Sequence, residues 1–200
     1  MVLGLPRGGV PVAAEVAAVL GAPLDVVVVR KLGAPFQPEL GMGAIGEGGV
    51  RVIDQELLRL TGATPEQLAQ VERGERAELD RRSRRYRGDR RPTDLDGRTA
   101  LVVDDGVATG STARAACLVA RERGASRVLL AVPVGPGDAA ARLGSAADEV
   151  VCLDTPGYFP GVGAFYDDFE QTTDEEVVGC LERAAAARAR PGPRPGPGPG

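Results

Sequence analysis

Two adjacent carboxylates, Asp104 and Asp105, stand just upstream of a small-residue turn in Leu101-Val102-Val103-Asp104-Asp105-Gly106-Val107-Ala108-Thr109-Gly110-Ser111-Thr112. Ionised carboxylates only accept hydrogen bonds and attract cations, so this pair suits sugar hydroxyls or a hydrated Mg²⁺ and cannot itself hold phosphate. The turn has the opposite chemistry. Gly110 lets backbone approach a ligand, the unpaired N–H groups of a first helical turn point outward, and Thr109, Ser111 and Thr112 add hydroxyl donors, which together make an anion cradle. A Walker A loop is excluded, because Gly106 and Gly110 are one residue too close and no lysine follows. A Rossmann fingerprint is excluded because G-x-G-x-x-G is lacking.

A second candidate lies at the start of the chain. Val2 to Leu5 form an apolar run that breaks at Pro6-Arg7-Gly8-Gly9, where the glycines permit close backbone approach and Arg7 offers a fork suited to phosphate oxygens. A third is Arg30-Lys31, after the stretch from Leu24 to Val29, which reads as a third buried strand. Lys31 is the only lysine beside 23 arginines, and the C-terminal end of a parallel strand is where open α/β sheets bind ligands. A solvated cation capping the strand is the alternative there. Histidine is absent, which removes His-dependent triads and leaves carboxylates, backbone dipoles, Arg, Lys or a borrowed metal.

The elements that must position these residues follow a strand-loop-helix rhythm. Strands are expected at Val2 to Leu5, Leu24 to Val29, Leu101 to Val103, Arg127 to Val134 and Glu149 to Leu153. Helices are expected at Val10 to Leu20, from Ser111 toward Gly124, near Asp138 to Leu143, and from Thr173 to about Ala187. Each crossover is long enough for parallel pairing. Between residues 33 and 96 the composition changes. Gly41 to Ile53 reads as a hairpin turning at Glu47-Gly48-Gly49. Thr64-Pro65-Glu66-Gln67 then supplies an N-cap, a proline at the first helical position and a capping-box glutamine for a helix reaching about Arg87. Its apolar stripe, Leu68, Val71, Leu79 and Tyr86, is thin, and Arg73 to Arg91 carry nine arginines against four acids. This segment reads as a solvated arm, or as one that docks on a partner subunit or covers an anionic ligand. Nucleic acid is disfavoured, since Tyr86 is the only aromatic residue among these arginines and is read as part of the apolar stripe.

The charge of −4 exerts no general pull toward nucleic acid or membrane. The apolar runs are strand-sized, with no signal peptide or spanning segment among them. Cys117, Cys152 and Cys180 are scattered in apolar contexts and read as buried free thiols of a reducing cytoplasm. Residues 188–200, rich in Pro and Gly, are expected as a disordered tail behind a single domain over 1–187.

The Leu101 to Thr112 stretch resembles the phosphoribosyl-pyrophosphate (PRPP) signature of type I phosphoribosyltransferases: four apolar residues, two acids, two variable residues, a small residue, Thr-Gly and a hydroxyl. Gly-Leu-Pro-Arg-Gly-Gly stands where that family binds pyrophosphate, and the likeness covers roughly Val2 to Asp174. It is strongest to a bacterial branch of phosphoribosyltransferases with G-L-P-R-G-G and D-D-G-V-A-T-G.

The resemblance implies an α/β fold with a doubly wound, mainly parallel sheet, an inserted hairpin and helical lid at 33–96, and a C-terminal hood. It also implies transfer of a 5-phosphoribosyl group from PRPP to a nitrogen nucleophile with Mg²⁺, or a PRPP- or nucleotide-sensing regulator that keeps the pocket without turnover. Asp104 and Asp105 would hold ribose hydroxyls, and Ala108, Thr109, Gly110, Ser111 and Thr112 the 5-phosphate. Pro6, Arg7, Gly8, Gly9, Arg30 and Lys31 would hold the pyrophosphate, with Lys31 grouped with the two aspartates at the reaction centre. Five of the seven aromatic residues fall between Tyr158 and Phe169. That segment would be a hood with Phe159 as the base contact, or a wrap packed on the sheet edge. Ala108 replaces the aspartate of 6-oxopurine enzymes, which disfavours hypoxanthine and guanine as acceptors. Met1 abuts the first strand without the helix and strand that precede it in the family, so the natural start is expected upstream.

Overall fold

The β-branched runs and the apolar helices between them alternate along nearly the whole chain. The computed structural model describes residues 1–88 and 90–189. In order these form β1 (Val2–Gly4), α1 (Gly9–Leu20), β2 (Leu24–Val26), β3 (Val29–Ala34), β4 (Gln37–Gly46), β5 (Arg51–Ile53), α2 (Gln55–Thr61) and α3 (Pro65–Arg87). Then come β6 (Thr99–Val103), α4 (Ser111–Glu122), β7 (Arg127–Val134), α5 (Ala139–Leu143), β8 (Glu149–Asp154) and α6 (Asp174–Ala189).

Five strands make a parallel sheet in the order β2-β1-β6-β7-β8. Because side chains alternate across a strand, each strand feeds two cores. Leu3, Val102 and Leu130 pack with Ala113, Ala116 and Ala120 of α4 and Leu143 of α5. Val2 and Val103 pack with Ala13 and Ala17 of α1 on the other face. The chain leaves β1 for β2 on one side and later enters β6 on the other, so the strand order reverses between β1 and β6. A crevice opens at such a switch point, beyond the carboxyl ends of the strands. Pro6-Arg7-Gly8-Gly9 and Asp104-Asp105 emerge there, one loop from each strand.

The stretch from Leu24 corrects one expectation. Its parallel strand ends at Val26, and after two buried valines the chain starts β3 in a separate antiparallel sheet, β3-β4-β5. Arg30 and Lys31 pair there with Ile45 and Ala44, so they lie inside an antiparallel strand and not at the end of a parallel one. The four consecutive valines from Val26 to Val29 give no mark at the point where the strand changes its partner sheet.

The hairpin at Gly41 to Ile53 forms as expected around Glu47–Gly49. Helix α2 was not anticipated, although Asp54 caps it by accepting from the Glu56 and Leu57 N–H groups. The capping box of α3 is realised, with Thr64 Oγ1 accepting from Gln67 N and Gln67 Oε1 from Thr64 N.

Helix α3 is not a solvated arm. Leu68, Leu79 and Tyr86 join Val10, Val26, Leu32, Met42, Ile45, Val177 and Leu181 in a second core under the antiparallel sheet. Its end is fastened by Arg87, 5% exposed, whose guanidinium meets Asp25 Oδ1 at 2.9 Å, the Glu47 carboxylate and the Val26 carbonyl. Burial pushes Asp25 upward, but the Arg87 charge and the Thr93 N–H outweigh it and hold the carboxyl below its usual range.

Cys117 and Cys180 are buried free thiols and Cys152 is half-buried. Among the described residues no helix is long and apolar enough to cross a membrane. Of the tail expected at 188–200, residues 188 and 189 belong to α6, and the rest lies outside the described residues.

Candidate active site

The β1 loop and the β6 loop interlock through missing side chains. A Cβ on Gly8 would stand 1.9 Å from Asp105 Oδ2, and one on Gly9 would stand 2.7 Å from both Asp104 Cα and the Val103 carbonyl oxygen. The glycines read as room for a ligand thus first make room for the two aspartates. Leu5 N–H donates to the Val103 carbonyl at 2.9 Å, which ties the loops together at their base.

Asp104 Oδ1 accepts from Asp105 N–H at 3.0 Å. Burial, and next the neighbouring Asp105 charge, push the Asp104 carboxyl up to about 8, and burial raises Asp105 as well. Two acids are therefore held where two negative charges are disfavoured, an arrangement that costs stability and is met at ligand and reaction sites.

The loop before α4 makes the expected turn into the helix. Gly110, the N-cap of α4, takes φ +75°, open to glycine at little cost, and offers no side chain to the helix start, while the Ser111 N–H donates to Thr109 Oγ1 at 3.4 Å. Thr109 Oγ1 and Ser111 Oγ lie 3.1 Å apart. Leu143 packs beneath Gly110, and Arg142 donates to the Ala108 carbonyl at 3.1 Å. Thr112 opens into a cavity of about 860 Å³ that Pro6, Arg30, Lys31, Glu75 and Arg82 also line. The structure thus brings Lys31 and Arg30 to the start of α4 by way of the antiparallel sheet. Arg30 Nε meets Glu75 Oε2 of α3 at 2.6 Å, a partner that sequence spacing could not indicate across 45 residues.

On the other side of the loop a cavity of about 430 Å³ is lined by Arg7, Gly8, Asp105, Tyr166, Asp168, Phe169 and Glu170, among others. Tyr166 donates its hydroxyl to the Asp105 carbonyl at 2.6 Å and its ring tilts against Phe169, centroids 5.2 Å apart. Burial, and then the charges of Asp105 and Asp104, raise the Tyr166 hydroxyl. Phe159, the expected base contact, stacks instead on Phe165 at 5.7 Å and is not among the residues lining either cavity. Tyr166 and Phe169 were missed because an irregular segment has no periodicity from which to read a direction.

Among the described residues no three His, Cys, Asp or Glu side chains converge into a metal cage. A hydrated Mg²⁺ arriving on substrate oxygens would favour the ionised forms of Asp104 and Asp105, which could then accept from its waters.

The site is thus the switch point of a parallel sheet, with paired aspartates beside a glycine-led helix start. The chain belongs to the family described as "Phosphoribosyl transferase domain", whose model matches residues 1–163, a family of pentosyltransferases. It is 59% identical over 184 residues to proteins of two Mycobacterium tuberculosis strains, each provisionally named phosphoribosyl transferase. Those alignments cover 92% of this chain but 42% of each relative, so the chain spans less than half the length of these curated relatives. The fold is similar to the crystal structure of TT1426 from Thermus thermophilus, with a TM-score of 0.84, 48% identity, and coverage of 91% of this chain and 86% of that one.

Proposed function

We propose that this chain binds PRPP with Mg²⁺ and transfers its 5-phosphoribosyl group to a nitrogen nucleophile, releasing pyrophosphate. The observation that carries the reading is the interlock of Pro6-Arg7-Gly8-Gly9 with Asp104-Asp105 beside the start of α4. The reading is supported by a glycine-containing loop with Arg7, a pair of carboxylates and a helix start flanked by hydroxyls lying together at the switch point.

In this reading the N–H groups at the start of α4 and the hydroxyls of Thr109, Ser111 and Thr112 hold the 5-phosphate. Asp104 and Asp105 accept from the ribose hydroxyls and face the positive charge that grows on the ribosyl ring as its bond to pyrophosphate breaks. The growing positive charge draws the pair toward its ionised form, so the attraction is stronger at the transition state than before it and lowers the barrier. Lys31 and Arg30 hold the departing pyrophosphate by charge-assisted hydrogen bonds from the larger cavity, while Arg7, across the loop, meets it from the smaller one. Mg²⁺ supplies further neutralisation of the leaving group when bound. The aromatic segment covers the acceptor and excludes water. A cytoplasmic setting and self-association through the 64–91 helical arm belong to the same proposal.

Asp104→Asn with Asp105→Asn tests it. Both changes keep shape but put N–H donors where donors must be met. Turnover, read as pyrophosphate release, should fall by more than PRPP affinity does. A double variant that changes PRPP affinity alone, beside a wild type without turnover for any acceptor, would make this a PRPP sensor and end the proposal.

A further inference from the structure

The turn that carries the paired aspartates is fixed by more than the β1 loop. Asp104 N–H donates to the Ala131 carbonyl at 3.3 Å and Val107 N–H to the Val134 carbonyl at 3.0 Å, so β7 secures the turn at both ends. Between those bonds lie Asp105 and Gly106, and two residues of the irregular segment after β8 reach them. Val162 packs on Gly106, where a Cβ would stand 2.6 Å from Val162 Cγ1. The Tyr166 hydroxyl donates to the Asp105 carbonyl at 2.6 Å, across 61 residues of sequence.

The peptide joining Asp105 to Gly106 is planar, so its carbonyl and its N–H point in opposite directions and a bond that fixes one fixes the other. That N–H serves the Asp105 carboxyl. Burial raises this group, and against that pull the Asp104 side chain and the N–H groups of Asp105 and Gly106 lower it. Without an anchor the peptide would be free to turn over, because Gly106 has no side chain to resist the change. The anchor is itself braced. The Tyr166 ring tilts against Phe169 with centroids 5.2 Å apart, and its N–H donates to the Gly163 carbonyl at 3.4 Å. Burial, then the charges of Asp105 and Asp104, raise the Tyr166 hydroxyl, which keeps it a donor.

Resting on the phosphoribosyl-transfer reading, we infer that Tyr166 is a positioning residue: through the Asp105 carbonyl it holds the Asp105-Gly106 peptide, and so aims the Asp105 carboxylate at the ribose hydroxyls of PRPP. It acts on the sugar through Asp105 and leaves the pyrophosphate contacts of Arg7, Arg30 and Lys31 as they are.

Tyr166→Phe removes the donor and keeps the ring. Calorimetric titrations of PRPP and of inorganic pyrophosphate, each with Mg²⁺, compare wild type, Tyr166→Phe, Asp105→Ala and the double variant, at a temperature that thermal melts place below unfolding for all four. Tyr166→Phe should weaken PRPP binding about three- to tenfold, the worth of one hydrogen bond, and leave pyrophosphate, which has no ribose hydroxyls, within about twofold. In the Asp105→Ala background the same change should have no further effect on PRPP, since the carboxylate it aims is gone. A brace that serves stability alone would lower the melting temperature in both backgrounds and leave the ratio of the two affinities unmoved. Either comparison decides by itself if the other falls below detection. Unchanged PRPP affinity in Tyr166→Phe, equal losses for PRPP and pyrophosphate, or a loss that adds in full to that of Asp105→Ala would overturn the inference and leave the PRPP reading standing. A wild type that binds no PRPP would remove that reading and the inference with it.

Discussion

Replacing Asp104 by Asn should make the ligand-free protein more stable. An ordinary carboxyl near 3.8 is pushed to about 8 by burial and by Asp105. Between those two values the folded state keeps a proton that the unfolded chain has lost, so stability falls as pH rises through that window and the loss is complete above the folded value. At about 1.4 kcal/mol per pH unit the loss between pH 4 and pH 7 is at most roughly 4 kcal/mol. Asparagine never ionises, keeps an oxygen for the Asp105 N–H, and has the volume to lie against Gly9. We expect a gain of about 1–3 kcal/mol at pH 7, a rise of roughly 3–10 °C in melting temperature for a chain of this size. The advantage should grow from pH 4.5 to pH 8. Thermal melts of both proteins across that range, without PRPP or Mg²⁺, make the comparison. A variant that is no more stable at pH 8, or whose advantage does not change with pH, would refute the claim that the two acids are held in an uncomfortable place.

Arg87→Met leaves Asp25 and Glu47 buried without their cation and should cost about 3–5 kcal/mol. The loss should shrink as pH falls and the stranded carboxylates take up protons, so equal losses by urea denaturation at pH 5 and pH 8 would contradict the pairing. Gly9→Ala forces a Cβ against backbone and should cost about 1–3 kcal/mol, whereas Gly8→Ala meets only the Asp105 carboxylate, which can turn. The Gly8 variant should therefore melt near wild type yet bind PRPP more weakly, and the reverse pattern would count against the interlock. Phe169→Ala should weaken acceptor binding by about 1–3 kcal/mol, while Phe159→Ala, which loses its stack on Phe165, should lower the melting temperature instead. Titrations and melts of both variants separate the two roles.

Legibility in the sequence depended on how local the physics is. The stretch from Leu101 to Thr112 carries its strand, turn and helix start in consecutive residues, so its turn into α4 was readable, as was the capping box at Thr64 to Gln67. The change of sheet after Val26 was not, because Val26 to Val29 are four consecutive valines and partner choice depends on β4, residues later. Arg87 reads as one more surface arginine in a basic run; only the convergence of Asp25 and Glu47, from two other elements, makes it a buried fastening. Gly8 and Gly9 were recognisable as close-approach residues, but what approaches them is set by the pairing of β1 with β6. The site's two halves were thus visible singly, while the wall formed by Tyr166 and Phe169 and the link from Arg30 to Glu75 are products of tertiary structure.

Calorimetric titration of PRPP into the wild-type protein, with and without Mg²⁺, tests the central claim most directly. Saturable one-site binding that strengthens with Mg²⁺ and weakens in both Arg7→Ala and the double asparagine variant is the expected result. A folded protein that takes up no PRPP under either condition would contradict the account.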